Sequence, residues 1–299
     1  MNSASNLDWS HQSLRQEHIQ MAAAFNKRAV ELGYRDLSDF FWYHTIDLGD
    51  GLVTPGTYDY RFNLEPFRFP ENMAGMQVLD VGSGTGFFAF EFEKRGAEVT
   101  SVDLPSMASL DRFPGETLEQ TIRKVEGMMR EHSLLSTDQK RQIFGRDALQ
   151  ELYRTHLDGP FQFCHSRLGS KVVRCYSTIY EVSPEKLGKE DFDLVFLGDV
   201  LLHTINPLQA LAAVAALCRG TLIVSQALPE TTETRPIMLY VGGEEPGKDE
   251  VTWWWPNVPC FEQILRKLGF REATLAGYHT GRVRPGGGAY KRAVIHARR

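Results

Sequence analysis

The sequence predicts an α/β fold built around a parallel sheet, and three stretches carry that prediction. Residues 76–103 read as a strand, a glycine-rich turn, a helix and a second strand, the crossover unit of doubly wound sheets. "DFDLVFLGDVLLHT" (191–204) and "TLIVSQAL" (221–228) are apolar almost throughout, as strands covered on both faces are. Between them, "NPLQALAAVAALCRG" carries a full set of helix signals: Asn206 as N-cap, Pro207 at the first helical position and Gly220 past the end.

The elements follow in order. Over residues 9–33, apolar side chains from Leu14 to Leu32 approximate a helical stripe that Gly33 closes. Residues 34–70 are punctuated by Pro and Gly and predict loops and short turns. "MQVLDVGSGTG" is a strand entering a turn, "FFAFEFEKRG" a helix ending at Gly96, and "AEVTSVD" a strand closed by Asp103. Two charged, periodic segments, "TLEQTIRKVEGMMREHSLL" and "TDQKRQIFGRDALQELYRTHL", predict helices inserted where a minimal unit would go straight to its next strand. "KVVRCYSTI" predicts a strand, "CFEQILRKLGF" a helix closed by Gly269, and the tail two strands joined by the "RPGGG" turn.

Composition narrows the function classes. At 42% hydrophobic and 24% charged, the balance is that of a soluble globular chain. The absence of an apolar run long enough to span a bilayer, and a polar N-terminus, predict a cytoplasmic protein with no membrane association. Cys164, Cys175, Cys218 and Cys260 are scattered, which predicts reduced thiols and no metal site. The net charge of −5 gives no general basis for gripping nucleic acid. A local exception runs from Gly281 to Arg299, with six Lys or Arg and no acidic residue.

The chemical signal lies in "VLDVGSGTGFF". Gly82, Gly84 and Gly86 let backbone approach a ligand, and the following helix offers unpaired N–H groups. Phe87 breaks the G-x-G-x-x-G spacing expected for a pyrophosphate. Asp80, just before the turn, would repel phosphate but suits an ammonium group. Asp103 lies 17 residues after Gly86, where a carboxylate can accept from two ribose hydroxyls. The pattern asks for a ribose-bearing, cationic ligand without phosphate, a description that S-adenosylmethionine (SAM) fits.

"VLDVGSGTG", Asp103 and "FDLVFLGDVLLHTINPLQAL" resemble the motifs of class I SAM-dependent methyltransferases over residues 70–299. The resemblance implies a Rossmann-like, seven-stranded sheet over 71–299 with a helical insertion at about 106–160, and an N-terminal helical and lid segment over 1–70. It implies a cofactor site of Asp80, Gly82, Ser83, Gly84, Gly86, Asp103 and Leu104. More narrowly, the 192–211 stretch and "YKRAVIHARR" are similar to the family that carboxymethylates the tRNA wobble uridine. That similarity puts Ile179 and Tyr180 beside the adenine, Gly198 near the sulfonium and Arg292 near the charged end of the cofactor. Residues 36–60 contain no Lys or Arg, and Leu202 stands where that family has tyrosine. Both departures point away from a carboxylated cofactor and from tRNA, towards relatives that share the "WYHTIDLGDG…TPG" segment.

That segment, 41–56, precedes the first strand of the sheet, where class I members commonly carry a lid. Methyl transfer gains from excluded water and close positioning, and aromatic faces suit a sulfonium. Trp42, Tyr43 and Tyr58 are therefore candidate substrate contacts. His44 is the first candidate for a base, since an unperturbed imidazole titrates near operating pH. Asp199, at the mouth of the fourth strand, is the second. His203 and Trp254 complete the candidate substrate side. The expected reaction is methyl transfer to an oxygen, nitrogen or sulfur of a small molecule. A tRNA-modifying enzyme and a non-catalytic nucleotide-binding domain are the alternatives. The acceptor, the pathway and the oligomeric state are not written in the sequence.

Overall fold

The computed structural model describes residues 9–132, 148–245 and 251–299. Seven strands form one sheet: β1 (Gln77–Val81), β2 (Glu98–Asp103), β3 (Val173–Tyr176), β4 (Phe192–Gly198), β5 (Cys218–Gln226), β8 (Glu272–Arg282) and β9 (Ala289–Arg298). Their order is β3-β2-β1-β4-β5-β9-β8. The first five are parallel, and β9 runs antiparallel to both β5 and β8. The expected α/β class and seven-stranded sheet are present. The order reverses between β1 and β4, which opens a crevice at the carboxyl ends of the strands.

Both faces of the sheet are covered. Val78, Leu194 and Phe196 face a core shared with α1 (Trp9–Glu31), α2 (Phe87–Lys94) and the segment up to Phe69. Leu79, Val81, Val195 and Leu197 face a second core with α7 (Pro207–Ala216) and α8 (Val258–Lys267). The alternation follows from the two-residue period of a strand and explains why β4 reads as apolar almost throughout. It also sets Asp80 on the α1 and α2 face.

Between β2 and β3 lie α3 (Leu118–His132), α4 (Ala148–Tyr153), one π-helical turn (Arg154–Asp158) and α5 (Gly159–Leu168). The second of the two helices expected there falls partly on residues 133–147, outside the described residues. α5 was not legible as a helix of its own. Its Phe161 and Cys164 enter the first core, whereas Val125 and Leu152 pack with Met107, Val251 and Trp253 in a third cluster.

Two further expectations are corrected. Gly220 is not a helix cap: α7 ends at Ala216 and Gly220 lies inside β5, where a Cβ would stand 2.3 Å from the Asp193 carbonyl oxygen. The strand expected over 171–179 shortens to four residues, because Ile179–Glu181 turns into a 3₁₀ helix, followed by the short α6 (Pro184–Leu187). The segment "TWWWPN" holds β7 (Trp254–Pro256), which pairs antiparallel with β6 (Met238–Tyr240) in a separate two-stranded sheet. Among the described residues, no helix is long and apolar enough to cross a membrane.

Candidate active site

The turn after β1 is built from glycines in the left-handed region, with φ of +73° at Gly82, +55° at Gly84 and +93° at Gly86, a conformation that costs other residues free energy. Gly86 caps α2. The turn is pinned to the end of β2: Gly84 N–H donates to Asp103 Oδ2 and Leu104 N–H to Asp103 Oδ1, both at 2.8 Å. Arg174 on β3 approaches the same carboxylate at 3.3 Å, with both side chains almost fully buried. Ser83 points inward, sharing a 2.7 Å hydrogen bond with Ser101 and receiving one from Arg174.

A cavity of about 480 Å³ opens on this turn. Asp80, Gly82, Gly84, Asp103 and Leu104 line one end, with Ile179 and Tyr180 from the 3₁₀ turn after β3. Gly198, Asp199 and His203 line the carboxyl end of β4, and Tyr43, His44 and Tyr58 form the roof. The structure therefore gathers most of the sequence-predicted residues around one space.

Asp80 is 1% exposed and its Oδ2 has no hydrogen-bond partner. Burial pushes its carboxyl up to about 7, with Arg174 pulling down and Asp103 adding to the rise. A buried carboxylate with one oxygen unpartnered, beside a glycine turn, fits a ligand that brings its own cation. Asp103 accepts two backbone N–H groups yet has about four lone-pair sites, which leaves capacity for ribose hydroxyls.

The roof is held by a close backbone crossing. Tyr58 N–H donates to the Tyr43 carbonyl and Thr45 N–H to the Tyr58 carbonyl, while Thr54 Oγ1 bridges His44 O and Ile46 N. A Cβ on Gly56 would stand 2.0 Å from the His44 carbonyl carbon, so only glycine fits there. His44 is buried, its Nδ1 is 3.0 Å from Thr85 Oγ1, and burial lowers its pKa to about 3. It stays neutral at operating pH. Burial raises the Tyr43 hydroxyl well above its ordinary range, with Tyr58 and Asp199 adding to the effect.

Asp199 and Arg292 meet directly: Arg292 Nε donates to both carboxylate oxygens at 2.7 and 2.8 Å. Burial raises the Asp199 carboxyl while Arg292 holds it down. His203 turns its Nδ1 to the Val251 carbonyl. Four of the candidate residues do not line the cavity: Ser83, turned to Ser101, Gly86, which caps α2, and two tryptophans. Trp42 packs edge-on against Phe25, Phe40 and Phe163 in the first core. Trp254 donates its Nε1–H to Ile205 O at 3.1 Å and meets Tyr240, leaving Trp253 on the cavity wall. Asp47 and Asp50, within the 41–56 segment, are exposed; Asp50 pairs with Arg167.

Sequence reasoning missed Tyr60, Asp111, His156, Ser225 and His279, all on the cavity wall. Asp111 accepts from Ile205 N–H at 2.7 Å and from the Tyr180 hydroxyl, which ties the loop after β2 to the loop after β4. His156 sits on the π-helical turn with Phe41 stacked on its ring at 5.3 Å. Its periodic surroundings gave no sign of that turn. Alternation along the tail, with His279 and Arg292 opposite each other in the hairpin, was the one available signal for His279.

A doubly wound sheet with an antiparallel seventh strand, a glycine turn after β1 and an acid ending β2 defines a SAM-binding α/β domain. The methyltransferase domain family matches residues 58–273, and the chain belongs to it. The cofactor of this family is SAM. The chain is 24% identical over 215 residues to the tRNA U34 carboxymethyltransferase of Idiomarina loihiensis, covering 70% of this chain and 50% of that protein. It is 35% identical over 100 residues to the ubiquinone biosynthesis O-methyltransferase of Albidiferax ferrireducens, covering 33% and 38%. The chain thus spans half the length, or less, of these curated relatives. The N-terminal domain of EvdMO1, solved with S-adenosylhomocysteine (SAH) bound, shares the fold at a TM-score of 0.50 and 15% identity, with 91% of this chain and 94% of that one covered.

Proposed function

We propose that this protein transfers a methyl group from SAM to a nucleophilic oxygen, nitrogen or sulfur of a small molecule. The observation that carries the reading is the single cavity joining Asp80, the glycine turn and Asp103 to Gly198, Asp199 and the aromatic roof. Asp80 would hold the amino group, Asp103 and Leu104 the ribose, and Ile179 and Tyr180 the adenine. When bound, the cofactor supplies an electrophilic methyl group on a sulfonium. The chain's own contribution is to position and to exclude water: Tyr43 and Tyr58 close over the space, and neutral His44 offers a hydrogen-bonding edge rather than a charge.

Part of the C-terminal basic run is consumed within the fold, which supports a small acceptor over tRNA. Arg284 pairs with Asp59 and Glu17, and Arg292 with Asp199. Arg299 donates to the carbonyls of Cys218, Leu268 and Ala215. Cations used inside the fold contribute little to a phosphate-binding surface. Calorimetric titration with SAH and NAD tests the reading. SAH is expected to bind, and Asp103→Ala to weaken it by about 1–3 kcal/mol. Preference for NAD, or unchanged SAH affinity in the variant, would refute it.

A further inference from the structure

The charged groups around the acceptor half of the cavity already have partners within the fold. Asp199 sits at φ +51°, uncommon outside glycine, and both its oxygens are taken by Arg292. Asp111 is held by Ile205 N–H and the Tyr180 hydroxyl. Among the described residues lining the cavity, Arg292 is the one Lys or Arg, and a carboxylate neutralises it. Burial also keeps His44, His156 and His279 unprotonated near neutral pH, at about 3, 4 and 4. An anionic acceptor would lose its water here and meet no unbalanced Lys or Arg among the described lining residues, an uncompensated desolvation cost.

The cavity is lined on one side by rings that touch one another, Tyr60 lying 5.1 Å from Phe88. Tyr58 and Tyr60 from the lid are parallel to within 3° at 6.0 Å, and Tyr43 lies 4.9 Å from Tyr58. On the sheet and α2 side, Phe88 meets Phe196 at 4.6 Å and Phe67 at 5.2 Å. Such walls favour a flat ring through area and edge-to-face contact. The polar handles at this end are neutral, as in the 3.0 Å hydrogen bond between Ser225 Oγ and His279 Nε2.

Resting on the methyl-transfer reading, we propose that the acceptor is an uncharged aromatic or heteroaromatic compound that presents its hydroxyl, amine or thiol in neutral form. The same matching of charges argues against a carboxylate on the cofactor.

The test compares ring compounds with their carboxylated congeners on SAH-loaded protein at neutral pH: catechol against protocatechuate, and naphthol against hydroxynaphthoate. The uncharged member of each pair is expected to bind at least about tenfold tighter by calorimetry. Equal or tighter binding of the carboxylates overturns the proposal. So does the failure of every ring compound to bind a protein that holds SAH. Failure to hold SAH refutes the cofactor reading instead, so the two failures are distinguishable. Asp199→Asn leaves Arg292 without its counter-charge and is expected to narrow or reverse the preference. An unchanged preference in a variant that still binds SAH would remove the ion pair from the argument.

Discussion

Replacing Asp80 with asparagine should stabilise the empty protein and weaken its hold on the cofactor at once. The Asp80 carboxyl titrates near 3.8 when free and is pushed up to about 7 in the fold, chiefly by burial. The folded value is the higher one, so across that window the folded protein keeps a proton the unfolded chain has released. Stability therefore falls as pH rises through the window, and the whole penalty is present above about pH 7. Three pKa units correspond to about 4 kcal/mol at most. Asparagine escapes that penalty. In scanning calorimetry, Asp80→Asn should melt several degrees above the parent at about pH 8 and level with it at about pH 4. Cofactor binding should move the other way, because the ammonium loses its counter-charge, and SAH affinity should drop by about 2–3 kcal/mol. Parent affinity should also fall roughly tenfold between about pH 8 and pH 6, as Asp80 must give up its proton to bind, and the variant should lose that dependence. A variant that melts below the parent at the higher pH while binding SAH as well as the parent would refute the reasoning. Asp80 would then be a structural carboxylate with partners of its own.

Two further outcomes follow from the lid. Gly56→Ala places a methyl group 2.0 Å from the His44 backbone and should cost about 3 kcal/mol or more, seen as a lower melting temperature and faster proteolysis within residues 41–60; an unchanged melt would mean the crossing is not tight. With a pKa of about 3, His44 contributes no ionisation to kcat/KM between about pH 5 and pH 9. His44→Gln should therefore lower the rate without altering the shape of the pH profile, and loss of a limb near neutral pH would show that His44 is a titrating base.

The features legible in the sequence are those set by short-range physics. Asn206, with its side chain 3.2 Å from Gln209 N–H, starts α7 because a cap acts within three residues. The glycines after β1 and the acid ending β2 mark a ligand turn because a left-handed backbone and a strand end are local properties. The uniform apolarity of 194–197 announced a strand covered on both faces. Tertiary structure decided the pairings. Asp199 and Arg292, 93 residues apart, meet only because β9 lies beside β5 and the β8–β9 hairpin sets Arg292 over the end of β4. Of the three consecutive tryptophans, the cavity receives Trp253 while Trp254 turns to Ile205 and Tyr240, and Trp42 is held in the first core, choices made by strand pairing and helix packing rather than by composition. Gly220 looked like a cap and proved to be the point where β5 passes close to Asp193. A residue's own neighbours in sequence fix its backbone preference, but which side chains share a cavity depends on register and packing between segments far apart, and no local pattern encodes that.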